Sequence, residues 1–274
     1  DSRNLEKSIE VAKAAKVHVQ GAFVYTISPI HTTENFLHVA KELVEMGVDS
    51  LCIKDMSGLL APFDAYDLVK ALKENFDLPL AIHTHSTCGL GSMAYLKAVE
   101  AGVDIIDTAL SPFALSTSQP ATESMIMSFE NTPYDTGINE KSLLKLADYF
   151  KQVKKDLAEE FKLNMDTQIN PAVREYQIPG GMLTNLYNQL KEQGAADRFD
   201  EVLAEMPNVR KDLGYPPLVT PTSQITGSMA ALNVLFGRYK IVPNEVKEIV
   251  RGNYGRVPGE ITDEFRKMII GDEP

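Results

Sequence analysis

A lysine and two histidines stand at the ends of two short apolar runs, Ser50-Leu51-Cys52-Ile53-Lys54-Asp55 and Leu80-Ala81-Ile82-His83-Thr84-His85. Each run is compact, apolar and flanked by Pro or Asp, the pattern of a buried strand. Alternate side chains of an extended strand share a face, so His83 and His85 can reach one ion. A cation close to Lys54 would favour a neutral or derivatised amine, because a bare ammonium repels a metal. The chemistry expected from these residues is a metal site.

Two imidazoles do not close such a site. An anionic ligand is also needed, and Asp55, Asp107 or a residue outside this chain are the candidates. The competing reading makes His83 and His85 hydrogen-bonded rim residues and pairs the Lys54 amine with Asp55 or Asp107. In the functional reading the free amine of Lys54 reacts, for instance with carbon dioxide, and the anionic carbamate bridges to the ion as a carboxylate would.

Further along, Pro179-Gly180-Gly181-Met182-Leu183-Thr184-Asn185 opens a helix. Its twin glycines permit close backbone approach to a ligand, and a first-turn Thr hydroxyl can cap the helix or shuttle a proton. Cys88 and Gly89 open the helix after the histidines. A thiolate would be favoured there beside a cation, whereas the plainer reading is packing. His18, His31 and His38 stand in no paired motif along the sequence and read as surface or structural residues.

The elements that position these groups alternate. Residues 1–17 carry apolar positions at helical spacing, and Val19 to Thr26 reads as a strand. Thr32 or Thr33 caps a helix with Phe36, Ala40, Leu43 and Met46 on one face. A helix from about Phe63 to Asn75 separates the two chemical strands. Another follows from about Met93 to Glu100, and Val103 to Thr108 is the next strand. Glu45-Met46-Gly47-Val48-Asp49 and Glu100-Ala101-Gly102-Val103-Asp104 repeat one helix-end, glycine, strand-start device. Units of this kind recur about every 25–30 residues, the length of a βα unit in a parallel sheet.

Polar residues gather at the strand ends: Tyr25 and Thr26, Lys54 and Asp55, His83 and His85, Asp107 and Thr108. In a parallel array those ends share one rim, where barrel active sites lie. An open doubly wound sheet fits less well, since no glycine-rich phosphate loop is present. The fold expected is α/β, the second half of a (β/α)8 TIM barrel with a helical C-terminal extension. Residues 1–138 form four βα units, and 139–274 form helices over the barrel mouth. In that extension Asn139 caps a long helix, and a helix covers Phe199–Met206. Another has Thr220 as cap, Pro221 in its first turn and Gly237 as its stop, and the last two begin near Pro243 and Glu260.

The 274 residues are 44% hydrophobic and 24% charged, as in ordinary globular proteins. A formal charge of −11 without a basic cluster argues against a nucleic-acid surface. No apolar run approaches the roughly 20 residues of a membrane helix, and the N-terminus lacks a signal-peptide pattern. Cys52 and Cys88 read as reduced thiols, and a cytoplasmic location is expected.

Six segments occur in a fixed order: Ile53-Lys54-Asp55-Met56-Ser57-Gly58, His83 to Gly89, Asp107 to Pro112, Ser118-Gln119-Pro120-Ala121-Thr122-Glu123, Ile178 to Gly181, and Pro217 to Gln224. Together they resemble the carboxyltransferase of the biotin-dependent enzymes, namely oxaloacetate decarboxylase α subunit, the pyruvate-specific subunit of transcarboxylase, and pyruvate carboxylase. The resemblance implies carboxyl transfer between oxaloacetate or pyruvate and biotin. It implies a divalent ion (zinc, cobalt or manganese) held by His83, His85 and a carbamylated Lys54, and biotin on a carrier protein or domain that is not in this chain. Thr184 falls on the threonine that passes a proton between biotin and the enolate. The implied assembly is a homodimer or larger complex.

The family's metal-binding aspartate lies in an Arg-Asp motif that is absent here, as are the arginines and glutamine expected to hold the keto acid. Asp1-Ser2-Arg3-Asn4 looks like the tail of the family's fourth strand. Two alternatives stand beside this reading: a metal-dependent aldol-type lyase or synthase acting on an acyl-CoA, and a non-catalytic scaffold that docks a biotinylated carrier.

Overall fold

The computed structural model describes residues 1–162, 168–178 and 180–271. The chain runs α1 (Glu6–Ala14), β1 (Gln20–Val24), α2 (Thr33–Glu45), β2 (Ser50–Asp55), α3 (Pro62–Asn75), β3 (Leu80–Thr84), α4 (Gly91–Glu100) and β4 (Ile105–Ile106). Helices follow: α5 (Thr122–Phe129), α6 (Glu140–Phe161), α7 (Val173–Tyr176), α8 (Gly180–Glu192), α9 (Phe199–Asp212), α10 (Thr222–Phe236), α11 (Asn244–Arg251) and α12 (Asp263–Ile270).

The strands form one parallel sheet in the order β1-β2-β3-β4. Leu51 and Ile53 of β2 and Leu80 and Ile82 of β3 are buried, as expected when helices cover a parallel sheet. The repeated glycine device ends α2 before β2 and α4 before β4. Thr32, not Thr33, caps α2 by accepting from Asn35 N, and Asn139 caps α6 by accepting from Ser142 N.

Two compact units emerge, and they cross the expected division at residue 138. One comprises Gln20–Tyr25 and Asp49–Arg174 and contains the whole sheet. Helix α6 belongs to it: the Phe150 ring meets Phe113 edge-on at 6.1 Å, and Lys154 Nζ donates to Pro112 O at 2.6 Å. The other comprises Asp1–Val19, Thr26–Val48 and Glu175–Pro274. Its core gathers Leu186 and Leu190 of α8, Val202, Met206 and Val209 of α9, Met229 of α10, Val246 of α11 and Ile269 of α12.

Three local expectations are corrected. Residues Ser2–Leu5 form a 3-10 turn rather than a strand tail, because the Asp1 carboxylate accepts from Arg3 N and from Arg256 N. Helix α9 runs through Pro207 to Asp212 instead of stopping at Met206. Burial of Val202, Met206 and Val209 outweighs the one backbone bond that the proline removes. Thr220 is no cap: α10 starts at Thr222, whose hydroxyl donates to Val219 O at 2.8 Å.

Candidate functional site

The β2–β3 pairing sets Lys54 opposite His83 and Asp55 opposite Thr84. Paired residues of adjacent strands share a face, so Lys54, His83 and His85 lie on one side and Asp55 and Thr84 on the other. Burial follows the same alternation. Asp55 and Thr84 are fully buried, whereas Lys54, His83 and His85 are half-buried.

The two imidazoles turn their Nε2 atoms toward each other at 3.3 Å. Each Nδ1 faces an acceptor: His83 Nδ1 lies 2.9 Å from Asp107 Oδ2, and His85 Nδ1 lies 2.5 Å from Thr117 O. An acceptor there requires the proton on Nδ1, which leaves both Nε2 lone pairs facing one point. Burial lowers the pKa of His85, with Lys54 and His83 adding to the effect against the Thr117 hydrogen bond. Its neutral, ligating form is therefore favoured. The Gln119 side-chain amide stands 3.2 Å from His83 Nε2 and 3.3 Å from His85 Nε2, presenting a partially positive N–H group to both lone pairs.

Neither aspartate considered from the sequence completes the pair. Asp55 accepts from Leu59 N at 3.0 Å, Leu60 N at 2.9 Å and Thr84 Oγ1 at 2.6 Å, all on the face away from the imidazoles. Burial raises its pKa against those hydrogen bonds. Asp107 meets the back of the His83 ring through Nδ1 rather than the Nε2 side. Among the described residues no third His, Cys, Asp or Glu joins the two histidines in a metal-holding group. Nor does an ion pair among them join Lys54 to Asp55 or Asp107.

This donor set fits a cation. Two neutral imidazoles converge, each with the outer acceptor that normally orients a metal-bound histidine, and a lysine occupies the neighbouring position. An anionic ligand is what the set still requires, and a carbamate on Lys54 would supply it. Gln119 and Thr117 take part in the geometry, though their sequence context gives them no role. Gln119 stands inside the Ser118-Gln119-Pro120 segment, where only its spatial neighbours give it meaning.

Cys52 and Cys88 belong to the unit that contains the sheet, and His18, His31, His38 and Thr184 to the other. Cys88 sits before α4, and burial pushes its thiol up to about 11, so it packs rather than reacts; burial does the same to Cys52. His38 lies on α2 beside Glu42, and His31 Nδ1 lies 2.6 Å from Ser28 Oγ. Thr184 lies in α8, and its side chain, like Pro179, falls outside the described residues.

Residues 2–150 match the family described as HMGL-like, and residues 173–274 match the conserved carboxylase domain. The chain is 53% identical over 280 residues to a pyruvate carboxylase subunit of Methanocaldococcus jannaschii, covering all of this chain and 49% of that protein. It is 42% identical to the "Methylmalonyl-CoA carboxyltransferase 5S subunit" of Propionibacterium freudenreichii subsp. shermanii, covering 95% of this chain and 51% of that one. A solved structure of the carboxyl transferase domain of Rhizobium etli pyruvate carboxylase, with pyruvate and biocytin, superposes with a TM-score of 0.91 at 27% identity. That match covers 99% of this chain and 48% of the other. The chain thus spans about half the length of these relatives. With a parallel α/β sheet, a histidine pair at the strand ends and both regions matched, the chain belongs to the HMGL-like family, followed by the conserved carboxylase domain.

Proposed function

We propose that this chain carries the carboxyl-transfer site of a biotin-dependent enzyme acting on pyruvate and oxaloacetate. Zinc, cobalt or manganese would be held by His83, His85 and a carbamylated Lys54. The observation that supports this reading is the facing pair of Nε2 atoms 3.3 Å apart, each ring fixed from behind by an acceptor. A divalent cation bound there supplies a Lewis acid for the charge that develops on an enolate oxygen.

In the reaction the bond from C3 to the C4 carboxyl of oxaloacetate breaks, and a bond forms from that carboxyl to a ureido nitrogen of biotin. The proton leaving that nitrogen goes to the enolate carbon and completes pyruvate. Thr184 is the hydroxyl proposed to relay it. Asp107 and Thr117 keep both imidazole protons on Nδ1, and Gln119 spans the two rings. Biotin reaches the site on a carrier protein or domain.

Metal analysis of the full-length protein, together with biotin-dependent exchange between oxaloacetate and labelled pyruvate, tests the reading. Bound transition metal and exchange are expected, and both are lost in a folded His83→Ala, His85→Ala variant. Mass spectrometry is expected to find one added carboxyl group at Lys54. Unchanged exchange in the double variant rules the site out. Cleavage of an acyl-CoA without exchange would transfer the site to the aldol-type lyases.

A further inference from the structure

Strand β4 pairs with β3 over two residues only, Ala81 with Ile105 and Ile82 with Ile106. The ladder goes one bond further, with Asp107 N donating to Ile82 O at 3.0 Å. In a regular parallel ladder the next bond would run from Thr84 N to Asp107 O. The hydroxyl of Tyr95, from α4, is inserted into that rung. Thr84 N donates to Tyr95 Oη at 3.0 Å, and Tyr95 Oη donates to Asp107 O at 2.6 Å. Both groups of the missing rung are therefore satisfied through one phenol.

The insertion has a geometric effect. A direct rung would hold nitrogen and oxygen about 2.9 Å apart, whereas here two consecutive bonds separate them. The strands splay at Asp107, whose side chain lies on the same face as its neighbour His83. At that spacing Asp107 Oδ2 reaches His83 Nδ1 at 2.9 Å. Tyr95 is fully buried on α4, and burial raises its pKa, so it is held as the neutral phenol that can both accept and donate.

We propose that Tyr95 is a positioning residue of the metal centre: its hydroxyl, set into the β3–β4 ladder, places Asp107 where the carboxylate fixes the orientation and tautomer of His83. The proposal rests on the metal reading given above. Outer partners of this kind govern how well a histidine ligates, and their loss weakens metal binding by about 10–100-fold. Tyr95→Phe removes the hydroxyl and keeps the ring. A direct Thr84–Asp107 bond can then form, drawing the Asp107 backbone inward and its carboxylate off His83.

The test compares full-length wild type with Tyr95→Phe by zinc and cobalt competition against a chelator. Imidazole nitrogen chemical shifts of the metal-free protein and the urea midpoint are measured alongside. Tyr239→Phe is the matched control, since Tyr239 Oη donates to Asp212 Oδ2 at 2.7 Å in the other unit. Tyr95→Phe is expected to weaken metal binding about tenfold or more and to mix the His83 tautomers. Tyr239→Phe is expected to lower stability with metal affinity unchanged. Asp107→Asn, which keeps the Tyr95 hydroxyl, is expected to weaken binding by a similar factor, and the two changes together by no more than either alone. Unchanged affinity and tautomer in Tyr95→Phe, or additive losses in the double variant, overturn the positioning role. A wild type that takes up neither ion sinks the metal reading itself, and the His83 tautomer in Tyr95→Phe then decides the positioning role alone.

Discussion

Thr84 Oγ1 donates to Asp55 Oδ2 at 2.6 Å, which fastens the residue between the two histidines on the face opposite their rings. The same carboxylate collects the Leu59 and Leu60 amides, so the turn after β2 is tied to the end of β3 by one buried group. A strand pinned on one face cannot easily rotate the other. The orientation of the histidine pair thus rests in part on residues of the opposite face.

Thr84→Val keeps the side-chain volume and removes this donor. It leaves a fully buried carboxylate short of one partner, and the expected loss is about 1–3 kcal/mol. Urea unfolding measures it, and a loss under a few tenths of a kcal/mol would show that Asp55 draws its support from the amides alone.

Gly58 adopts φ +71°, and a Cβ there would lie 2.4 Å from the His85 carbonyl oxygen and 3.0 Å from Thr87 N. Gly58→Ala therefore combines backbone strain with a clash that the end of β3 must absorb. The expected outcome is a stability loss of about 2 kcal/mol or more and, if the proposed cation binds at His83 and His85, weakened metal uptake, because the displaced backbone is that of His85. Metal affinity equal to wild type in the folded variant would separate the turn from the site.

Arg210 is buried at 3% exposure, and the acceptors around it are neutral. Its Nε donates to Pro216 O at 3.0 Å, Nη1 to Ile27 O at 2.8 Å and to Gln177 Oε1, and Nη2 to Thr26 Oγ1 at 2.9 Å. Burial lowers its pKa to about 10, which leaves it cationic at neutral pH. Arg210→Met strands those acceptors and is expected to cost about 2–4 kcal/mol. Arg210→Lys cannot reproduce the planar fork and is expected to recover less than half of that loss. Guanidinium unfolding of the two variants is the measurement.

His31 should make the protein acid-sensitive. Burial, reinforced by the Arg210 charge, lowers its pKa from 6.5 to about 4. The unfolded chain takes up a proton below 6.5 while the folded protein declines it down to about 4. This contribution to stability is therefore complete above pH 6.5 and is lost as pH falls from there to about 4. His31→Gln is expected to remove that part of the slope from a plot of urea midpoint against pH. A parallel curve for the variant would mean that His31 titrates normally.

Much of the fold was legible because it depends on local patterns. Thr32 and Asn139 cap their helices with their own side chains, and Leu51, Ile53, Leu80 and Ile82 announce buried strands by composition alone. Pro207 misled for the opposite reason: a local rule stops the helix, and packing along Val202, Met206 and Val209 carries it on. The length of β4 could not be read either, since a tyrosine on the preceding helix interrupts its ladder.

By itself the sequence determined that His83 and His85 share a strand face, since a period of two admits no other arrangement in an extended chain. It also determined that Lys54 stands near the end of the preceding strand. Only the tertiary structure decided which groups stand around the rings. Asp55 turned to the Thr84 side, Asp107 came behind His83, and the Gln119 amide came within reach of both Nε2 atoms. Strand register, a helix-borne phenol and a loop meet there, and distances between such parts are set by packing across the chain rather than by the order of neighbours along it.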